Sequence, residues 1–404
     1  MSSVSAFVRA HPWIVVLLVL VCVTAAWLYT TALQESSYPE VEELAAGKEL
    51  SFQEYSTYFR KLSEDKGAPY AYEILLRAEF PVGIDVHLLG HVIGDMLYKQ
   101  QGIAGINVCT QDFRNACSHS VVIGILNDHG EGVLPEIAAT CKEAPGGKGA
   151  YTMCFHGLGH GVLAYTGYNL ERAVQMCKRT GTPEYQEREY IECVGGTIME
   201  MIAGVHDPLA WQEQVGNYFK DNDPLYPCSA PFMPGEVRPI CYAQLTPHLY
   251  TAAGIDLASI DTSKYEKAFS FCNALPQGSQ ERESCYGGFG KEFIVSARER
   301  DVRDIGSMEA PALAHVREWC TYANDADGEK ACNGSALASL FWGAENKPDA
   351  AFTFCAIASG QEQQECHSQL SDQISFYLGG EYRGLLLCDR LPTALRESCR
   401  LRTL

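Results

Sequence analysis

The chain has 404 residues, of which 47% are hydrophobic and 20% charged, a composition that argues against disorder and leaves ample length to bury a core. Its formal charge of −19, with no basic patch, argues against a nucleic-acid partner, because phosphate binding depends on clustered Lys and Arg. The acidity itself needs no more than a soluble, self-repelling surface.

Residues Trp13 to Leu33 are almost wholly apolar, and about 20 such residues suffice for one bilayer-crossing helix. Arg9 precedes this run and Glu35, Glu40, Glu42 and Glu43 come after it. The positive-inside rule therefore predicts a cytoplasmic N-terminus (1–11), a transmembrane signal-anchor (12–33) and everything later outside, in a periplasmic or extracellular space. A cleaved signal peptide is the rival reading. It is disfavoured by the length of the apolar run and by Trp13, Trp27 and Tyr29 as interfacial anchors. Residues 34–80 read as a juxtamembrane spacer with one amphipathic stretch, Phe52–Leu62, in which Tyr55, Tyr58 and Phe59 stand at helical spacing. This helix is expected to dock onto the array that begins at residue 81.

From residue 81 the chain repeats. CFHGLGHG from Cys154 has variant copies from Cys117, Cys193, Cys241, Cys285, Cys332, Cys366 and Cys399, and DVHLLGHVIG puts Asp85 in the cysteine position. Each of these cysteines has another 8 to 16 residues before it, giving the couples Cys109/Cys117, Cys141/Cys154, Cys177/Cys193, Cys228/Cys241, Cys272/Cys285, Cys320/Cys332, Cys355/Cys366 and Cys388/Cys399. An even set in an exported chain reads as disulfides within couples. First members lie 32 to 51 residues apart, the period of two-helix repeat units. One unit therefore reads as helix, cysteine, polar loop, cysteine, helix, with segments such as ERES before Cys285 and LRES before Cys399 placed in the loop. Asn169 and Pro348 are expected as an N-cap and a first-turn residue. The expected fold is an all-α, disulfide-stapled array of helical hairpins, solenoid-like, over residues 81–404. The unit around Cys228 carries an aromatic and proline-rich insert, residues 206–239, which is either a binding face or a loop packing its own rings.

Histidines divide this array into His-rich units (81–167) and His-poor units (168–404). His87, His119 and His156 all stand two residues after the cysteine position, and His91 and His160 stand four residues after His87 and His156. A pair at i and i+4 projects from one helix face, the spacing by which helical histidines share a metal, and Asp95 extends that stripe. Later units place Gly195, Ala243, Gly287, Gly334 and Ser368 at the same site, so the repeat itself does not require histidine there. A structural role, with the rings bonded to helix-end amides or loop carbonyls, competes with the metal reading.

The first functional expectation is thus metal binding by His87, His91, His119, His156, His160 and Asp95. Zinc, copper, iron or nickel suit these ligands, and a b-type haem held by histidine pairs is a second cofactor candidate. The same residues would serve a metalloenzyme or haem redox protein. A scaffold or receptor that binds protein, peptide or glycan along the repeat surface is the alternative. Walker, GxSxG, HExxH and CxxC patterns are absent, so no catalytic residue is named.

Overall fold

The computed structural model describes residues 38–47, 50–81, 84–144, 147–220, 222–256, 261–298, 302, 305–343 and 348–404. The expected membrane anchor, residues 12–33, lies outside them. Among the described residues no helix is long and apolar enough to cross a membrane, and none forms a β-strand. The chain divides into two compact units. The smaller, described over residues 38–47 and 77–79, holds the short helix Pro39–Ala46 and sets the Arg77 guanidinium 4.8 Å from the Tyr38 ring. The larger comprises residues 49–76 and 80–404.

Nine helices form the inner layer of the larger unit: α1 (Val86–Gln101), α2 (Ala116–His129), α3 (Gly147–Tyr165), α4 (Arg188–Ala203), α5 (Arg238–Gln244), α6 (Gln280–Ser296), α7 (Ala326–Gly343), α8 (Gly360–Leu378) and α9 (Thr393–Thr403). From α2 onward each carries the second cysteine of a couple, and Asp85 caps α1 by accepting from the Leu88 amide at 3.0 Å. All eight couples form disulfides, from Cys109–Cys117 to Cys388–Cys399, with Cα atoms 5.3–5.8 Å apart. Each bridge joins the end of an outer segment, such as Leu170–Cys177 or Ala310–Cys320, to the next inner helix.

Helices begin earlier than the cysteine positions suggest. ERES and LRES are not loops but early turns of α6 and α9. Ser279 caps α6 by accepting from the Arg282 amide at 3.2 Å, and Glu281 and Glu283 favour the positive helix start. Asn169 caps Leu170–Cys177 as expected, whereas Pro348 sits one residue outside its helix, at the cap position. The amphipathic stretch from Phe52 forms a helix to Lys66, closed at its start by a Ser51–Glu54 capping box. Gln100 of α1 ties it down, donating to the Ser63 carbonyl and accepting from the Ala68 amide, both at 2.8 Å.

Burial is deepest in the earlier helices, where Ala116 to Ile123 of α2 is one unbroken buried run, whereas α8 and α9 bury one stripe each, Cys366, Leu370, Ser371, Ile374 and Leu378 on α8 and Cys399 and Thr403 on α9. Each inner helix packs on the next from α1 to α9, and α8 also packs back on α3. Small residues permit this closeness: a Cβ on Gly159 of α3 would lie 2.0 Å from the Cys193 carbonyl oxygen of α4, and one on Gly196 would lie 1.9 Å from that of His156. Across the layer, Arg114 at the start of α2 reaches Ser339 of α7, Nη2 to Oγ 3.4 Å. The array therefore curls on itself within this unit, and histidines from separate repeats meet.

Candidate metal centre

The local structure before α2 sets up the first ligands. Phe113, Arg114 and Asn115 are consecutive residues in the left-handed region, with φ of 55°, 55° and 63°. Left-handed backbone costs roughly 1–2 kcal/mol per non-glycine residue, so a run of three needs support from its surroundings. Here the turn is enclosed by the Cys109–Cys117 bridge, and it directs the Phe113 carbonyl to 2.6 Å from His87 Nδ1. That contact makes Nδ1 the donor of the neutral ring and leaves the Nε2 lone pair free to ligate. His91 bonds Ser120 Oγ through Nδ1 at 3.0 Å, and its Nε2 faces His87 Nε2 at 3.3 Å. A tetrahedral ion with nitrogen ligands at about 2.0–2.1 Å separates them by about 3.3–3.4 Å. The spacing also fits one N–H shared between the rings.

His119 settles what that corner lacks. It is 2% exposed, and neither ring nitrogen has a hydrogen-bond partner. Its ring lies 6.2 Å from His87, 5.8 Å from His91, 6.0 Å from His156 and 5.9 Å from His160, centroid to centroid. Ligand atoms of His87, His91 and His119 fall within 4.8 Å of one another.

A second set lies alongside. Glu200 of α4 is fully buried; its carboxylate accepts from His206 Nδ1 at 2.7 Å, His160 Nδ1 at 3.1 Å, the His206 amide at 3.0 Å and the Tyr168 hydroxyl. Ligand atoms of His160, Glu200 and His206 again lie within 4.8 Å. His206 reaches this point because α4 ends at Gly204, whose φ of +63° turns the chain back over the helix end. The His206 ring is 5.8 Å from His91 and 5.9 Å from His160, which joins six histidines into one cluster.

The electrostatics divide the two sets. Burial pushes His91 and His119 well below the ordinary imidazole range, neighbouring imidazoles adding to the effect. It lowers His87 against the Phe113 bond, and brings His160 to about 4 against the pull of Glu200. These are neutral rings ready to donate a lone pair. Burial opposes the charge of Glu200, yet hydrogen bonds from His160 and His206 hold its carboxyl well below the usual range. Burial likewise opposes the charge of His206, but the bond to Glu200, its charge and that of Asp95 leave its pKa raised.

Of the six residues singled out in the sequence, His87, His91, His119 and His160 enter these triads. His156 is adjacent but stands outside both, with Nε2 3.0 Å from Met199 Sδ and Nδ1 3.6 Å from Glu192 Oε2. Asp95 is also outside both triads; burial raises its carboxyl above the usual range, against the influence of Ser120, and its charge acts on His206. Glu200 and His206 were missed. Glu200 is one position beyond the histidine register, and His206 opens the insert, which the sequence reads either as a binding face or as a loop packing its own rings, without singling out a ligand. Two open grooves of about 550 and 670 Å³ lie on later helices and carry no histidine. No family model, curated protein or solved structure matches the chain.

Proposed function

We propose that this chain is a membrane-anchored extracytoplasmic protein that holds one transition-metal ion on His87, His91 and His119 and a second on His160, Glu200 and His206. Eight disulfides support an oxidising, extracytoplasmic compartment. The apolar run at 12–33, with acidic residues after it, supports the anchor. The observation that carries the metal reading is His119: a buried imidazole with both nitrogens unpartnered, facing two others whose Nε2 atoms already converge. Hydrogen bonding alone explains the Glu200 set but leaves His119 unsatisfied, and such a buried polar group costs about 1–3 kcal/mol. An ion on the three imidazoles takes up one of those two nitrogens and so removes half of that deficit.

Three imidazoles leave one position of a tetrahedral ion for water or another ligand, the arrangement of reactive rather than closed structural sites. Single ions are favoured over haem, because neighbouring histidine rings pack 4.8–6.2 Å apart and fill the volume a porphyrin would need.

Elemental analysis tests this on full-length protein purified from an oxidising compartment without chelator or affinity histidines. Near two ions per chain are expected, one lost in His119→Ala and the other in His206→Ala, with helix content and disulfides retained. If reconstitution with zinc, copper, iron and nickel in turn leaves the protein metal-free, the reading fails and the scaffold class takes its place.

A further inference from the structure

The register that brings histidines to the centre continues past them. Six residues after the cysteine position stand His91 on α1, His160 on α3, Met199 on α4 and Lys291 on α6. Met199 Sδ lies 3.0 Å from His156 Nε2 and 3.8 Å from Lys291 Nζ, so one sulfur atom separates the ammonium from the histidine cluster. The other contact of Lys291 is the Gln244 side-chain oxygen. Both partners are neutral, and Lys291 forms no ion pair with a carboxylate among the described residues.

Arg114 brings a second cation to the same interior. It crosses from the strained turn before α2 to Ser339 on α7. Burial lowers the Lys291 pKa; of the nearby charges Glu292 and Glu192 raise it and Arg114 lowers it further. The arrangement runs against composition, since a chain of net charge −19 has carboxylates to spare and, among the described residues, none is in contact with this ammonium. A partly buried ammonium without a contacting counter-charge carries a desolvation cost, and a cation beside a set of imidazoles also opposes the entry of metal. A bound anion relieves both. Lysine holds phosphate or carboxylate as a point charge.

We infer that the ligand handled at this centre carries an anionic oxygen group (phosphate, sulfate or carboxylate) seated on Lys291 with its other end toward the two triads. The inference deepens the metal reading and rests on it for the orientation of that ligand.

The test is calorimetric titration of the full chain, loaded with zinc, with inorganic phosphate, sulfate and acetate in turn. At least one of the three binds saturably to the wild type. Lys291→Met weakens that binding ten-fold or more at unchanged zinc content, and Lys291→Arg restores most of it. Binding of none of the three, or equal affinity in wild type and Lys291→Met, overturns the inference. If Lys291→Met does not fold, Lys291→Gln provides the same comparison. If zinc itself does not bind, the metal reading has failed, and the titration of zinc-free protein then decides: Lys291-dependent anion binding keeps the anion seat, and its absence removes it.

Discussion

His119 is held where an apolar side chain would be more stable. Both its nitrogens are buried without partners, and Gly157 leaves it room: a Cβ there would lie 2.4 Å from the ring. His119→Leu is therefore expected to leave the chelated protein unchanged or to stabilise it, because it removes two unsatisfied groups at similar volume. With metal in excess the order reverses. At 100-fold above its dissociation constant an ion stabilises the wild type by about 2.7 kcal/mol, and the variant forgoes this. Melting curves with chelator and with zinc check the crossover; a variant less stable than wild type in chelator would assign His119 a structural task instead. Acidity acts on the same rings. His87, His91, His119 and His160 have folded pKa values below the unfolded 6.5, so between 6.5 and those lower values the unfolded chain binds more protons and acid favours unfolding. His206 has the opposite sign: its raised pKa contributes stability that is fully present below 6.5 and lost as pH rises through the folded value. Below 6.5 the His206 contribution no longer changes, so the four lowered rings set the slope, and the melting temperature of chelated protein is expected to fall as pH drops from about 6.5 toward about 4. A flat profile across that window would mean the rings are not buried as neutral groups.

At the scale of helices, what the sequence made legible was what is local. The cysteine couples, the Asn169 cap and the helix from Phe52 each depend on residues a few positions apart, and each is found where the pattern puts it. The i, i+4 histidine spacing fixes a common face but not which neighbour that face meets. His160 consequently turns to Glu200 on α4, while His156 on the same face meets Met199 and Glu192. Asp95 is on the stripe of His87 and His91, one turn further along α1, and comes near Ser120 and His206 without joining either triad. His206 was illegible for a different reason: its position depends on the turn at Gly204. The contact of α3 with α4, through Gly159 and Gly196, sets the distance between His160 and Glu200. Gly196→Ala would place a Cβ 1.9 Å from the His156 carbonyl oxygen, so the helices must part. A loss of about 1–3 kcal/mol is expected, in the range of other overpacked cores, together with loss of the ion on the Glu200 set. Gly216, an exposed helical position with nothing within 4 Å of an added Cβ, is the control. Gly216→Ala should stabilise by about 0.5–1 kcal/mol and leave metal content alone. Two variants with the same metal content would separate helix spacing from ligation.

Across the molecule the disulfides are all short-range, closing 8 to 16 residues each, so none ties the histidine units directly to the far end of the array. Each loop of about 15 residues contributes roughly 3 kcal/mol in the chain-entropy model, and eight together exceed the 5–15 kcal/mol by which domains are typically stable. Their effect on the metal centre should therefore depend on position rather than number. Cys109–Cys117 encloses the left-handed turn that aims the Phe113 carbonyl at His87 and starts Arg114 on its path to Ser339. Freed of that bridge, residues 113–115 can relax into ordinary backbone, His87 loses its fixed tautomer, and the three-imidazole set loses a ligand. Cys388–Cys399 instead joins the outer helix Tyr382–Cys388 to α9, which packs on α8 at the end of the chain. Removing it should lower the melting temperature while leaving both ions in place. The paired variants Cys109→Ser/Cys117→Ser and Cys388→Ser/Cys399→Ser, compared by metal content at a temperature where both remain helical, separate these roles. If the first pair keeps two ions, the left-handed turn holds without its staple. If the second pair loses them, coupling through α8 to α3 reaches the centre and the array behaves as one cooperative body.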